Sequence, residues 1–146
     1  MAQTIDFLRK VSWFEDLDDK SLQSVVNASV EQSYEAGQEI VREGDSGVGA
    51  YIIRTGRVEV LQSQGGQQRR VRELGPGDFF GEMALLDDFP RSSTVRALES
   101  TTCIALTRWH FRGILESFPQ IALAILPVLT RRLREAEKAA AAALQH

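Results

Sequence analysis

Metal-binding and redox chemistry have almost no side chains to work with in this chain. Among 146 residues there are two histidines, His110 and His146, and one cysteine, Cys103. A catalytic metal site needs several His and carboxylate ligands converging on one point, and haem or iron–sulfur sensing needs His or Cys ligands of its own. No resident metal or cofactor is expected, and no enzyme. A lone cysteine cannot close an internal disulfide, and Cys103, in the alternating run Thr102–Leu106, reads as a buried packing residue. Positive charge is also scarce: 17 Lys and Arg stand against 20 Asp and Glu, a formal net charge of −3. Surfaces that grip nucleic acid neutralise phosphates with clustered cations, so no nucleic-acid partner is expected within this chain. Long hydrophobic runs are missing too. The apolar stretch Ile121–Leu129 falls short of the roughly 20 residues that span a bilayer and is interrupted by Pro127. The N-terminus lacks a basic stretch leading into an apolar core. The expectation is a cytoplasmic chain with no membrane partner.

What is present fits one globular domain over residues 1–146, with 43% hydrophobic residues to form a core. Residues 1–28 read as helical. Phe7, Leu8 and Val11 share a face, and Asp18 or Asp19 can cap a helix carrying Leu22, Val25 and Val26. From 29 to 107 the texture changes to short alternating runs between glycine turns, the pattern of a roll or sandwich of strands. Gln64-Gly65-Gly66-Gln67 is a hairpin tip, so Val58–Leu61 should pair with Arg70–Leu74. Helix returns over 108–146. Pro119 suits the start of the last helix, and Pro127 is expected to kink it.

The densest chemistry lies between Phe79 and Ala97. Gly75–Asp78 reads as a turn and Phe79-Phe80 as a stub of strand. Gly81 permits close backbone approach before Glu82 opens an apolar helical turn, Met83-Ala84-Leu85-Leu86. The first N–H groups of such a turn have no partners inside it, which suits an anion. Asp87, Asp88 and Pro90 end the turn, and Arg91 heads an alternating run that reads as a strand. The Arg91 guanidinium offers paired donors for two oxygens of one phosphate, and Ser92 and Ser93 add hydroxyls and unhindered N–H groups. Glu82 offers acceptors to a sugar hydroxyl. The plain alternative is a surface ion pair between Glu82 and Arg91 worth at most about 1 kcal/mol, which leaves the surrounding small residues unexplained.

This segment resembles the phosphate-binding cassette of the cyclic nucleotide-binding domain family: a Gly-Glu pair, a small apolar helical turn, then Arg followed by small residues. The resemblance runs along almost the whole chain. Trp13–Leu17 resembles the family's N-terminal motif and Tyr34–Ile40 its first hairpin. Arg42-Glu43-Gly44-Asp45 and Tyr51–Val58 match the glycine-turned strands that follow. It implies a mainly β fold, an eight-stranded antiparallel β-roll (jelly-roll-like) with N-terminal helices and a long C-terminal helix. The implied ligand is cAMP or cGMP, with cAMP expected on family base rates. By the same resemblance Glu82 would hold the ribose 2′-OH, Gly81 would sit against the sugar, Arg91 with Ser92 would hold the cyclic phosphate, and Met83 and Ala84 complete the cassette. Val60 and Val71 are candidate apolar walls for the ligand or, equally, simple core residues.

In the final helix Ala122, Leu126, Leu129, Leu133, Ala136, Ala140 and Leu144 recur at spacings of four and three, a narrow seam that suggests a homodimer. Leu133, Glu135, Ala136 and Glu137 are candidate lid and base contacts. In the catabolite activator branch of the family a hydroxyl pair occupies this region, so Glu135-Ala136-Glu137 is a departure. Its plain alternative is a solvated face shared with Arg131 and Arg134. The main functional expectation is a sensor that signals by moving this helix, either free-standing or excised from a longer regulator. The alternative is a roll that no longer binds nucleotide and serves as a dimerisation scaffold.

Overall fold

The computed structural model describes residues 2–11, 14–15, 17–47, 49–81 and 90–144. Trp13 and Asp16 of the N-terminal motif, and Glu82, Met83 and Ala84 of the cassette, lie outside the described residues.

Two helices open the chain, α1 (Ala2–Arg9) and α2 (Asp19–Ala28). Of the two candidate caps, Asp18 and Asp19, Asp18 is the N-cap: its Oδ1 accepts the Ser21 N–H at 2.8 Å, so one otherwise unpaired donor of the first turn is satisfied. That bond holds the Asp18 carboxyl below the usual carboxylate range. Eight strands follow: β1 (Val30–Tyr34), β2 (Glu39–Val41), β3 (Gly49–Thr55), β4 (Val58–Gln64), β5 (Gln67–Leu74), β6 (Phe79–Phe80), β7 (Thr94–Ala97) and β8 (Thr101–Thr107). The chain closes with α3 (Arg108–Ser117), capped by Thr107, and α4 (Gln120–Leu144), which continues through Pro127.

The strands form two four-stranded sheets, ordered β1-β8-β3-β6 and β2-β7-β4-β5. Tyr34–Ile40 is not a hairpin of paired strands. β1 pairs with β8 and β2 with β7, so the turn between them carries the chain from one sheet to the other. Gly37 takes φ +88° there, its N–H donates to the Ala97 carbonyl at 2.7 Å, and the Ala97 N–H donates to Gln38 at 2.9 Å. The partners that fix this turn therefore lie some sixty residues downstream. By contrast β4 and β5 form the expected hairpin, Gln64 opposite Gln67, with Gly65 and Gly66 both at positive φ as a two-residue turn of the primed type requires.

Alternation divides the core in two. One cluster joins the helices to the outer face of the first sheet through Leu8, Phe14, Leu22, Ile52, Phe79, Phe111 and Ile121. The other fills the space between the sheets with Val41, Ile53, Val58, Val60, Phe80, Val95 and Cys103. Phe14 and Phe111 are each 1% exposed, and burying such a side chain contributes about 1.5–3 kcal/mol. β5 lies at a sheet edge with only Leu74 half-buried. Across its outer face Arg57 pairs with Glu73, Arg70 with Glu59 and Glu73, and Arg96 with Glu59. Exposed pairs are individually weak, but Glu59, shared by Arg70 and Arg96, links β5, β4 and β7.

Cys103 is fully buried and burial pushes its thiol up to about 12. Native protein at pH 8 should resist Ellman's reagent and react fully in guanidinium chloride, because the thiolate is the nucleophile. Rapid native reaction would contradict the described core.

Candidate functional site

Gly77, at φ +90°, turns the chain into β6. There Phe79 faces the helices and Phe80 the interior, where it stacks on Tyr51 with centroids 5.1 Å apart. Gly81 follows at φ +74°, a conformation that an L side chain rarely adopts. Its carbonyl accepts a hydrogen bond from Arg91 Nη1 at 3.3 Å. A Cβ on Gly81 would lie 2.6 Å from that same nitrogen. On its other flank the guanidinium packs against Gly47, where an added Cβ would overlap Nε, Cζ and Nη2. Arg91 thus lies in a slot made by two missing side chains.

The backbone of Arg91 is fixed as firmly. Its N–H donates to the Asp45 carbonyl at 2.8 Å, and its carbonyl accepts the Gly44 N–H at 2.9 Å. Gly44 holds φ +88° in the turn after β2. The motif Arg42-Glu43-Gly44-Asp45 therefore acts on the site through its backbone. Glu43 extends the connection: its N–H donates to Thr94 Oγ1 at 2.9 Å and its carboxylate accepts the Ser63 N–H at 3.0 Å.

The structure brings Gly81 and Arg91 into contact and sets Ser92 and Ser93 directly after the guanidinium, Ser92 exposed and Ser93 half-buried. Gln62, at the end of β4, donates from Nε2 to Ser93 Oγ at 3.1 Å and to the Ser92 carbonyl at 3.4 Å. Val60 belongs to the inner core at 8% exposure, while Val71 is 46% exposed. An irregularity between Val60 and Leu61 explains the difference. Val60 is opposite Arg72 and Leu61 opposite Arg70, so Val71 is the extra residue of a bulge. Arg72 is exposed and stands across from Val60, and its side chain has no hydrogen-bond or ion-pair partner among the described residues.

A cleft of about 510 Å³ opens beside Arg91 toward β1 and β2, lined among others by Gln32, Val41, Asp45, Gly47, Tyr51 and Arg91. Of the described site residues, Arg91 reaches it.

Leu133, Glu135, Ala136 and Glu137 are exposed on the distal part of α4, and no described hydrogen bond or ion pair joins them to the Gly81–Arg91 contact. The residues of α4 that face the domain are Ile121, Ile125 and Val128. Arg132 continues that stripe, with its guanidinium 3.8 Å from the ring centroid of Phe79. Gly47, Gln62, Arg72 and Arg132 were not singled out by the sequence. Strand register locates Arg72 opposite Val60, and alternation from Val60 locates Gln62. Among the described residues no group of three or more His, Cys, Asp or Glu is placed to hold a metal ion, and no single helix is long and apolar enough to cross a membrane.

Comparison with known proteins adds the following. A family model described as "Cyclic nucleotide-binding domain" matches residues 31–118. The chain is 39% identical over 105 residues to a cyclic AMP receptor protein of Thermus thermophilus, covering 71% of this chain and 49% of that one. It is 42% identical over 107 residues to a cGMP-dependent protein kinase of Toxoplasma gondii, covering 73% of this chain and 10% of that one. Among solved structures it is similar to the regulatory domain of Toxoplasma gondii PKA with cAMP, with a TM-score of 0.73 and 37% identity over 77% of this chain and 43% of that one. The chain thus spans about half the length of the first relative and a tenth of the second.

Replacing Gly47 with Ala should displace the Arg91 guanidinium and shift its Nε–H resonance in a ¹⁵N spectrum, since the new methyl group would occupy the guanidinium's place. An unchanged Arg91 resonance would show that the slot is not as tight as described.

Proposed function

The chain belongs to the cyclic nucleotide-binding domain family, and from that premise we propose that it is a sensor domain that holds a cyclic nucleotide, cAMP by expectation, and signals through α4. The reading is of a regulatory domain rather than an enzyme. The observation that carries it is the Arg91 guanidinium, seated between Gly47 and Gly81 by contacts that leave little freedom to lose on binding. A planar cation held in advance suits two oxygens of a cyclic phosphate, because the ordering cost has already been met in folding. Glu82 is the proposed partner of the ribose 2′-OH, Gly81 of the sugar, and Ser92 and Ser93 of the phosphate. Met83 and Ala84 complete the cassette, and Val60 and Val71 are the proposed apolar walls.

Transmission to α4 is supported by the contact of Arg132 with Phe79. Phe79, Phe80 and Gly81 lead straight into Glu82, so a ligand that shifts the cassette also acts on the residue under α4. A cation over a ring contributes about 0.5–2 kcal/mol, enough to alter the populations of two helix positions. Leu126, Leu133 and Leu144 are 55%, 59% and 89% exposed. They are the proposed seam of a homodimer, although Leu129 of the same series packs half-buried against the domain's own core. Leu133, Glu135, Ala136 and Glu137 are the proposed lid contacts.

One observation favours cGMP instead. Arg72 stands opposite Val60 with no partner among the described residues. A guanidinium donates to both O6 and N7 of guanine, whereas adenine offers N7 beside an amine that is itself a donor. The relatives include a protein named for cyclic AMP and one named for cGMP, so the choice falls to the residues of this chain.

Calorimetric titration of the wild type and Arg91→Ala tests the main reading. Losing a desolvated arginine–phosphate contact costs about 3–5 kcal/mol, so micromolar binding should vanish in the variant; near wild-type affinity would remove Arg91 from this role. In a melting scan, ligand at 100 times its dissociation constant should add about 2.7 kcal/mol to the wild type. No shift with either nucleotide would favour the scaffold reading.

Parallel titrations of Arg72→Ala decide the base. If Arg72 reads guanine, affinity for cGMP should fall about tenfold while that for cAMP holds; equal affinities before and after would return the expectation to cAMP.

A further inference from the structure

The segment Arg91–Thr94 is too short to be held by its own strand, since β7 begins only at Thr94. Besides the Arg91–Gly81 contact and the pairing of Thr94 with Leu61 of β4, three sets of contacts among the described residues fix it. The turn at Gly44 and Asp45 exchanges two backbone hydrogen bonds with Arg91. Glu43 ties Thr94 to Ser63 through the second pair of bonds. The third set is a single side chain: Gln62 Nε2 reaches Ser93 Oγ at 3.1 Å and the Ser92 carbonyl at 3.4 Å. The first two sets grip the ends of the segment, Arg91 and Thr94. Among the described residues only Gln62 grips its middle, where the two serines follow the guanidinium.

The chemistry of that grip is directional. An amide NH₂ has two donors and no charge. By occupying the Ser92 carbonyl and a lone pair of Ser93 Oγ, it removes two acceptors that would otherwise confront an anion. It also leaves the Ser93 hydroxyl proton to point elsewhere. A glutamate of the same length could offer neither donor to the Ser92 carbonyl and would add negative charge beside the anion.

We propose that Gln62 is a positioning residue for the anion subsite of Arg91, fixing Ser92 and Ser93 so that they present donors rather than acceptors to a bound phosphodiester. This rests on the reading of the site as one for a cyclic nucleotide. In this role Gln62 acts through Ser92 and Ser93, and so on how the two exocyclic phosphate oxygens are told apart.

The test uses the whole chain with Gln62→Ala and Gln62→Glu, titrated with cAMP, cGMP and the Sp and Rp phosphorothioates of whichever binds more tightly. Loss of neutral hydrogen bonds should weaken binding about five- to tenfold in Gln62→Ala. The ratio between the Sp and Rp forms should move toward one, because each form tests a different phosphate oxygen. Gln62→Glu should bind more weakly than Gln62→Ala. Backbone amides of Ser92 and Ser93 should exchange faster in Gln62→Ala without ligand. A wild-type affinity in both variants would overturn the proposal, and so would weaker binding with an unchanged Sp to Rp ratio, which marks a merely structural role. Wild-type protein that binds neither cyclic nucleotide overturns the reading of the site and this proposal together, whereas wild-type binding with unaltered variants overturns this proposal alone.

Discussion

The site depends on a steric condition: one guanidinium fits only where two Cβ atoms are missing. Gly47 and Gly81 stand on opposite flanks of Arg91, and each comes from a different part of the chain, the turn after β2 and the end of β6. An arginine on an open surface keeps much of its rotamer freedom, up to about 2 kcal/mol that must be given up on binding. Here that freedom is surrendered when the roll folds. The two backbone hydrogen bonds between Arg91 and the Gly44–Asp45 turn make the same point for the main chain. Folding of the two sheets and readiness of the cation are one event, and damage to the sheet contact damages the site first.

The same geometry explains why β6 can be so short. Two residues suffice because their side chains serve both cores. Phe79 packs into the helical side and meets Arg132 of α4, and Phe80 packs into the interior and stacks on Tyr51. A displacement of Gly81 cannot leave either phenylalanine untouched, since close-packed interiors transmit strain rather than absorb it. The interior neighbours of Phe80 are fixed between two sheets. On the helical side Phe79 meets the guanidinium of Arg132 and belongs to the cluster that holds Ile121, Ile125 and Val128 of α4.

Local rules made much of this fold legible. The Gly65-Gly66 hairpin, the β6 stub, the Asp18 cap and the strand after Arg91 are each set by residues within a few positions, and the structure has them where the sequence put them. What was not legible is non-local. Tyr34–Ile40 has the signature of a hairpin, but its strands find β8 and β7, partners whose pull no window around Gly37 contains. Gly47 looks like one more loop glycine until Arg91, forty-four residues on, is seen to fill its side-chain space. The bulge at Val71 shifts the alternation of β5 by one, so a count along the strand pairs Val60 with the wrong neighbour and passes over Arg72. Of the site itself, Arg91 and Gly81 touch through a hydrogen bond, while the positions of Glu82, Met83 and Ala84 lie outside the described residues.

A chain of net charge −3 is an unpromising anion receptor only if charge is summed over the whole surface. Screening limits the reach of exposed charges to about 8 Å at physiological ionic strength, so what matters is which groups stand within one such length of the proposed phosphate position. Arg91 is one, delivered by the start of β7. Two further arginines stand on different elements, Arg72 on β5 and Arg132 on α4, and they differ in how they are held: Arg132 lies over a ring, whereas Arg72 has no partner among the described residues. Glu135 and Glu137 follow Arg132 by three and five residues. At 1.5 Å per residue that is about one turn of helix along the axis. These two carboxylates, set among Arg131, Arg134 and Lys138, therefore lie within a screening length of the place where the helix meets the roll. On the proposed reading, an inward movement of α4 would bring carboxylates toward a bound base and away from solvent, which is favourable only if the base supplies N–H donors to meet them. On that reading, closure of the helix would depend on the chemistry of the guest rather than on its negative charge alone.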